Sequence, residues 1–315
     1  MKILPAALLC ACALVHAESI NPATKPQTAP MSAQEKKNLD LVLNWWRDVL
    51  YGGHYDLAPK YQAADYIQHN PNANTGRDGF IAYFKALNRP PVNPLPKQLP
   101  PAQMPVVMGA RGDYVWLIFE HEDKDPRDPS KTYHYNSFDV LRIQNGKVQE
   151  HWDSAQKVKG SGSVNTGVSP KPPMEWNTGK PTAEEQQTLA MATEELKDML
   201  QYGHLELADK TMDPGYIQHN PNVPQGRDGF KQFMSRVPGR TPREIKLEWV
   251  NAPVLTLVDG PYAFMMWDRT AKDPDDPARD YKWNHFDVVR TENGLIKEHW
   301  DEARINPPQP GGKKQ

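Results

Sequence analysis

Tyr66-Ile67-Gln68-His69-Asn70-Pro71-Asn72 is written a second time, as Tyr216-Ile217-Gln218-His219-Asn220-Pro221-Asn222. Gly76-Arg77-Asp78-Gly79-Phe80 returns at 226–230, again 150 residues on. Further along, Phe138-Asp139-Val140 returns at 286–288 and Glu150-His151-Trp152-Asp153 at 298–301, now 148 residues on. A repeat of this length exceeds a solenoid unit of roughly 20–50 residues. It is a duplicated domain, and what the two copies share is unusually polar.

Each copy reads helices first and strands second. Ser32-Ala33-Gln34-Glu35 and Thr182-Ala183-Glu184-Glu185 are capping boxes. Leu39, Val42, Leu43, Trp46 and Leu50 follow at helical spacing, as do Leu189, Ala192, Leu196, Met199 and Leu200. Glycines at 52–53 and 203 end these helices. A short helix and the Tyr-Ile-Gln-His-Asn-Pro turn come next. A third helix, carrying Phe80 and Phe84 or Phe230 and Phe233, begins after Gly76 or Gly226. The remainder is strand. Asn145-Gly146 and Asn293-Gly294 mark tight hairpins leading into 148–154 and 296–302. The expected class is α+β, with three helices on one face of a curved antiparallel sheet. The domains are placed at 32–155 and 182–305, with a Pro/Gly/Ser linker at 156–181 and a disordered tail at 306–315.

Bulk properties narrow the function. Residues 1–17 read as an export signal with cleavage after Ala17, from the charge at Lys2, the apolar run Ile3–Val15 and the small residues before the cut. The sequence leaves lipoprotein and soluble export both open. That run is too short to span a bilayer, which takes about 20 residues, so a periplasmic or secreted chain with no membrane span is expected. Both cysteines, Cys10 and Cys12, lie in the signal, which leaves the rest without a disulfide or a thiolate site. A formal charge of −2 argues against a nucleic-acid partner. About 125 residues per half suffice for a self-contained core.

Six histidines form matched pairs, His54/His204, His69/His219 and His151/His299. His54 and His204 follow the first helix, where a structural role at its C-terminus is expected. A two-residue hairpin at 145–146 sets Val140 opposite His151 and Phe138 opposite Asp153. Alternation then puts His151 and Asp153 on one face with Asn136, Phe138 and Val140, and Trp152 on the other with Asp139 and Leu141. The second copy gives His299 and Asp301 with Asn284, Phe286 and Val288, and Trp300 opposite. A bulge would shift this register. An Asp among apolar side chains has its pKa raised, which suits a base near neutral pH. A nearby His or Asn could donate to a developing oxyanion. The competing readings are a buried polar network built on His69 and His219, and a non-haem iron site from His-x-Asp plus a distant His. No metal or other cofactor is assigned.

Taken together, Tyr-Ile-Gln-His-Asn-Pro, the Gly before the third helix, Phe-Asp-Val, the Asn-Gly hairpin and Glu-His-Trp-Asp resemble the SnoaL-like polyketide cyclase family, in both halves. The resemblance implies the nuclear-transport-factor-2-like fold, a cone of three helices wrapped by a curved sheet around an apolar pocket. In that family an aspartate on the last strand acts as acid/base beside a histidine, which implies Asp153 with His151 and Asp301 with His299. It also implies pocket histidines at His69 and His219, and a lining of Tyr66, Asn70, Asn136 and Phe138, repeated as Tyr216, Asn220, Asn284 and Phe286. Relatives isomerise ketosteroids, open epoxides or only bind. The cyclases are cytoplasmic single domains, whereas this chain is duplicated and is expected to be exported. Two readings follow, acid/base catalysis on a small hydrophobic carbonyl compound, or a binding protein without chemistry. A third has one half catalytic and the other structural. The family pairs sheet to sheet, so Trp152 and Trp300 are expected to face one another between the halves. The 26 residues of 156–181 reach ~85 Å when extended, enough to allow it.

Overall fold

The computed structural model describes residues 29–163, 165 and 177–305. The export signal, most of the Pro-rich linker and the tail at 306–315 lie outside them. Each half carries the same α-helices and β-strands in the same order. In the first, α1 (Ala33–Trp45) opens on the Ser32/Glu35 capping box. It widens into a π-helical stretch over Trp46–Tyr51, where Gly52 N–H donates to Arg47 O at 2.9 Å. Then come α2 (Ala58–Tyr61), β1 (Gln62–Gln68), α3 (Arg77–Ala86), β2 (Val107–Arg111), β3 (Tyr114–Asp125), β4 (Asp128–Gln144) and β5 (Lys147–Asp153). The second half repeats this as α4 (Ala183–Thr193), α5 (Ala208–Thr211), β6 (Met212–Gln218), α6 (Arg227–Met234), β7 (Leu255–Asp259), β8 (Tyr262–Lys272), β9 (Asp280–Glu292) and β10 (Leu295–Asp301). Glu194–Met199 is its π-helical stretch.

The sheets run β1-β5-β4-β3-β2 and β6-β10-β9-β8-β7. They are antiparallel except at one edge, where β1 lies parallel to β5 and β6 to β10. Tyr66-Ile67-Gln68, read from sequence as part of a turn, belongs to that edge strand. The turn itself starts at His69, whose N–H donates to His151 O at 3.0 Å. Gly76 then caps α3 with φ 85°, a left-handed conformation that suits glycine.

Every residue from Tyr114 to Phe119 is buried, which requires both faces of the strand to be covered. Val115, Leu117 and Phe119 face α1 and α3, packing with Val42, Trp45 and Phe80. Tyr114, Trp116 and Ile118 face the other way, into a core shared with Tyr262, Phe264 and Met266 of the second sheet. Trp152 and Trp300 belong to that shared core. Phe138 stacks on Phe286 at 5.6 Å between ring centroids. Trp116 Nε1 donates across the seam to Asp259 at 3.1 Å. Burial pushes the Asp259 carboxyl up to about 7, against the pull of that hydrogen bond. A second bridge ties the segment after the first sheet to the second half, Lys157 Nζ to Asp273 at 2.7 Å, both side chains 2% exposed. Among the described residues no helix is long and apolar enough to cross a membrane.

Candidate active site

The helix-facing side of the first sheet brings His151 and Asp153 together, but with different companions from those the hairpin alone implies. Gln144 pairs with Lys147 and Ile143 with Val148, as a two-residue turn requires. The next pair is Arg142 with Glu150, so Gln149 is an extra residue. This one-residue bulge sets Leu141 opposite His151, Val140 opposite Trp152 and Asp139 opposite Asp153. The second half does the same at Lys297, setting Asp287 opposite Asp301.

Two corrections follow. Asp139 and Asp287 join the histidine–aspartate pairs, whereas Phe138 and Phe286 pack into the sheet–sheet core, Phe138 also bordering the cavity described below. Asn136 and Asn284 go with them. Asn136 Nδ2 donates to His219 O at 3.4 Å, and Asn284 Nδ2 to Asp268 at 3.1 Å. His69 and His219 are also on the outer side. His69 stacks on Trp152 at 4.6 Å and bonds Glu150 at 2.8 Å. His219 stacks on Trp300 at 4.5 Å and bonds Glu298 at 2.8 Å. Burial opposes ionisation of Glu150, but His69 and Arg142 outweigh it and hold its carboxyl below the usual range. This is the buried-network reading of His69. His54 and His204 leave the helix ends and bond Val92 O at 3.0 Å and Arg243 O at 2.7 Å, tying down the loop after the third helix.

On the inner side, His151 Nε2 lies 2.8 Å from Asp139 and Nδ1 2.9 Å from the Tyr66 hydroxyl. Trp45 packs edge-on against the ring at 5.7 Å. Burial disfavours the imidazolium, but the Asp139 hydrogen bond and charge win, and the His151 pKa is raised. Asp153 accepts from Asn70 Nδ2 at 2.8 Å and from Ala155 N–H at 3.0 Å. Burial pushes its carboxyl up and Asp139 adds to that, while His151 and Asn70 pull back. These groups open onto a cavity of about 710 Å³ walled by Trp46, Leu50, Tyr51, Tyr83 and Phe84. Tyr83 is raised by burial first and by the Asp153 charge second, which puts its hydroxyl within electrostatic reach of that carboxylate.

The second copy is wired differently. Glu195 stands where Trp45 stands, and it takes His299 Nδ1 at 2.8 Å and the Tyr216 hydroxyl at 2.8 Å. Asp287 holds His299 Nε2 at 3.0 Å and His285 Nε2 at 3.0 Å. His285 also pairs with Glu302. Asn220 Nδ2 donates to Asp301 at 2.8 Å. Burial opposes charging of both imidazoles, yet the flanking carboxylates lift both well above their ordinary value. Ser137, Ser154 and Tyr83 of the first half are replaced by His285, Glu302 and Phe233.

Asp139, His151 and Asp153 each offer a ligand atom within 4.8 Å of the others, as do Asp287, His299 and Asp301. The ligand set read from sequence, with His69, is not assembled, because His69 is on the far face. In the set that is assembled, both His151 nitrogens already have partners, so a cation would have to displace Asp139 or Tyr66.

The sequence does not single out Asp139, Asp287, Tyr83 and Glu195 as site residues. The signal for Asp139 and Asp287 was present, since Phe-Asp-Val is one of the repeated phrases. Only the register hid it.

Residues 193–299 match the family model of the SnoaL-like domain. That match covers most of the second half, and the first half repeats its strands in the same order. The chain is a tandem duplication of this fold, of nuclear-transport-factor-2-like type. Similar solved structures include TsrD from Streptomyces laurentii, 18% identical over 39% of this chain and 90% of its own, TM-score 0.25. An LEH-like epoxide hydrolase from M. tuberculosis is 14% identical over 40% of this chain and 84% of its own, TM-score 0.29. A putative ketosteroid isomerase from Kribbella flavida is 22% identical over 40% of this chain and 84% of its own, TM-score 0.27. No curated protein matches the chain.

Proposed function

We propose that the first half is a cofactor-independent acid/base catalyst acting on a small, largely hydrophobic carbonyl compound. The observation that carries this is Asp153, a carboxylate with a raised pKa facing a cavity of about 710 Å³ with aromatic walls. In this reading Asp153 takes a proton from the carbon next to the carbonyl. The electron pair moves onto the carbonyl oxygen, and the proton returns to a different atom or position. Tyr83, a neutral hydroxyl on the cavity wall, replaces His69 as the donor to the oxyanion. His151 holds Tyr66 and Asp139 in place and tunes Asp153 electrostatically.

The second half serves as a structural partner. Its site is filled by the Glu195, Asp287, Glu302, His285 and His299 network, and Phe233 lacks the hydroxyl that Tyr83 offers. The shared core is proposed to hold the halves as one body in solution. The signal at 1–17 motivates export to the periplasm or beyond.

Deuterium uptake from heavy water into a panel of ketones and β-dicarbonyls tests the chemistry. Asp153→Asn is expected to lower uptake by about 10²–10⁴-fold, the usual contribution of a general base. Asp301→Asn should leave it unchanged. Undiminished uptake in Asp153→Asn removes the mechanism. Absence of uptake with wild-type protein favours a binding protein instead.

A further inference from the structure

The mouth of the first cavity is not built by the first half alone. Arg89, in the loop after α3, and Arg304, three residues beyond β10 of the second half, both line it. Both residues are exposed, whereas Asp139 and His151, which line the same cavity, are buried. The cavity therefore runs from an acidic, enclosed end to a basic, open one.

Arg304 is fixed in place. Its carbonyl accepts from Asn222 Nδ2 at 3.0 Å, and the next residue, Ile305, is buried. Its guanidinium lies 4.0 Å from the centroid of the Tyr135 ring. Tyr135 in turn stacks on His121 at 5.1 Å, and the Arg304 charge helps to depress the His121 pKa after burial. A cation seated on a ring is held at one spot with its N–H edges open to a ligand. Among the described residues no carboxylate comes within ion-pair distance of Arg89 or Arg304. The matching position in the first half is Gln156, whose carbonyl accepts from Asn72 Nδ2 at 2.9 Å in the same way. The backbone of this corner is thus common to both halves, and the charge belongs to one of them.

Resting on the reading of this cavity as the working site, we propose that its ligand is an oxo acid. The carbonyl end lies toward Asp153 and Tyr83, and the carboxylate end is held at the mouth by Arg89 and by Arg304 from the other half. A guanidinium presents two parallel N–H groups that match a carboxylate. Asp139 and Asp153 repel an anion from the enclosed end, which fixes the orientation. The second half thereby completes the first half's binding site.

The test compares 6-acetyl-2-naphthoate with 2-acetylnaphthalene, which lacks the carboxylate, by calorimetric titration of the full chain. Titrations are run in the wild-type and Asp153→Asn backgrounds, so binding is read apart from turnover. The acid is expected to bind about 10–100-fold more tightly than the ketone, the worth of a charge-assisted hydrogen bond or two. Arg304→Gln and Arg89→Gln should each remove most of that preference and leave the ketone's affinity unchanged. Equal affinity for the two probes, no binding of either, or a preference that survives both substitutions would overturn the proposal. A preference for the acid without any deuterium uptake would sink the catalytic reading and leave this one standing.

Discussion

His151 and His299 occupy the same place in the same fold, and their neighbours give them different work. His151 has one carboxylate, Asp139, one phenol and one indole edge. His299 has carboxylates on both nitrogens. In the first half burial depresses the imidazole, and Asp139 first, with the Asp153 charge after it, overturns that. Asp139→Asn removes that counter-charge while keeping the shape. The His151 pKa is expected to fall from above its ordinary 6.5 to below it. The change should also cost about 3 kcal/mol, typical for removing one partner of a buried ion pair. Imidazole chemical shifts followed against pH by NMR check it, and an unmoved titration would show that Asp139 is not the controlling partner.

At the scale of elements, what the sequence made legible was local. The capping boxes at Ser32 and Thr182 and the Asn-Gly turns at 145–146 and 293–294 act within a few residues, and the structure keeps them. What it hid was set by contacts far along the chain. Gln149 and Lys297 bulge where β5 and β10 also meet the parallel edge strands β1 and β6. Nothing in the hairpin itself announces this. One extra residue exchanged the neighbours across β4, so His151 and Asp153 were legible as a pair while Asp139 was read onto the wrong face. The place of His69 is likewise non-local, since it stacks on Trp152 on the sheet face that meets the second half. The seam between the sheets is equally non-local. At Gly109 on β2, a Cβ would meet Asp259 Oδ2 at 2.2 Å and Trp116 Nε1 at 2.5 Å. Neither partner can step aside without breaking the bond between them. Gly109→Ala is therefore expected to cost about 1–3 kcal/mol. Calorimetry should show a Tm lower by about 2–10 °C, and an unchanged Tm would mean that the seam is looser than described.

The whole molecule carries a pH signature. His285 faces Asp287 and Glu302, and His299 faces Glu195, Asp287 and Asp301. Both imidazoles have folded-state pKa values raised well above 6.5. The stability they contribute is complete below the unfolded value and drains away as pH rises through the folded ones. Asp259 adds to the trend from the acid side. Its folded pKa of about 7 lies above the unfolded 3.8, so its neutral form is favoured and stability falls between those values. Asp287 is depressed by its histidines and opposes only at low pH, below 3.8. The Tm should accordingly decline as pH rises above 6.5. A Tm that rises over this interval would contradict the assignment.

The sheet-to-sheet seam formed by two halves of one chain has an evolutionary consequence. When two identical subunits pair through such a seam, every codon change appears on both sides at once, and a cavity cannot be altered in one place and spared in the other. Duplication within one gene lifts that constraint. Glu195, His285 and Glu302 can accumulate in one copy while Trp45, Ser137 and Ser154 persist in the other, and the two always arrive together in equal number.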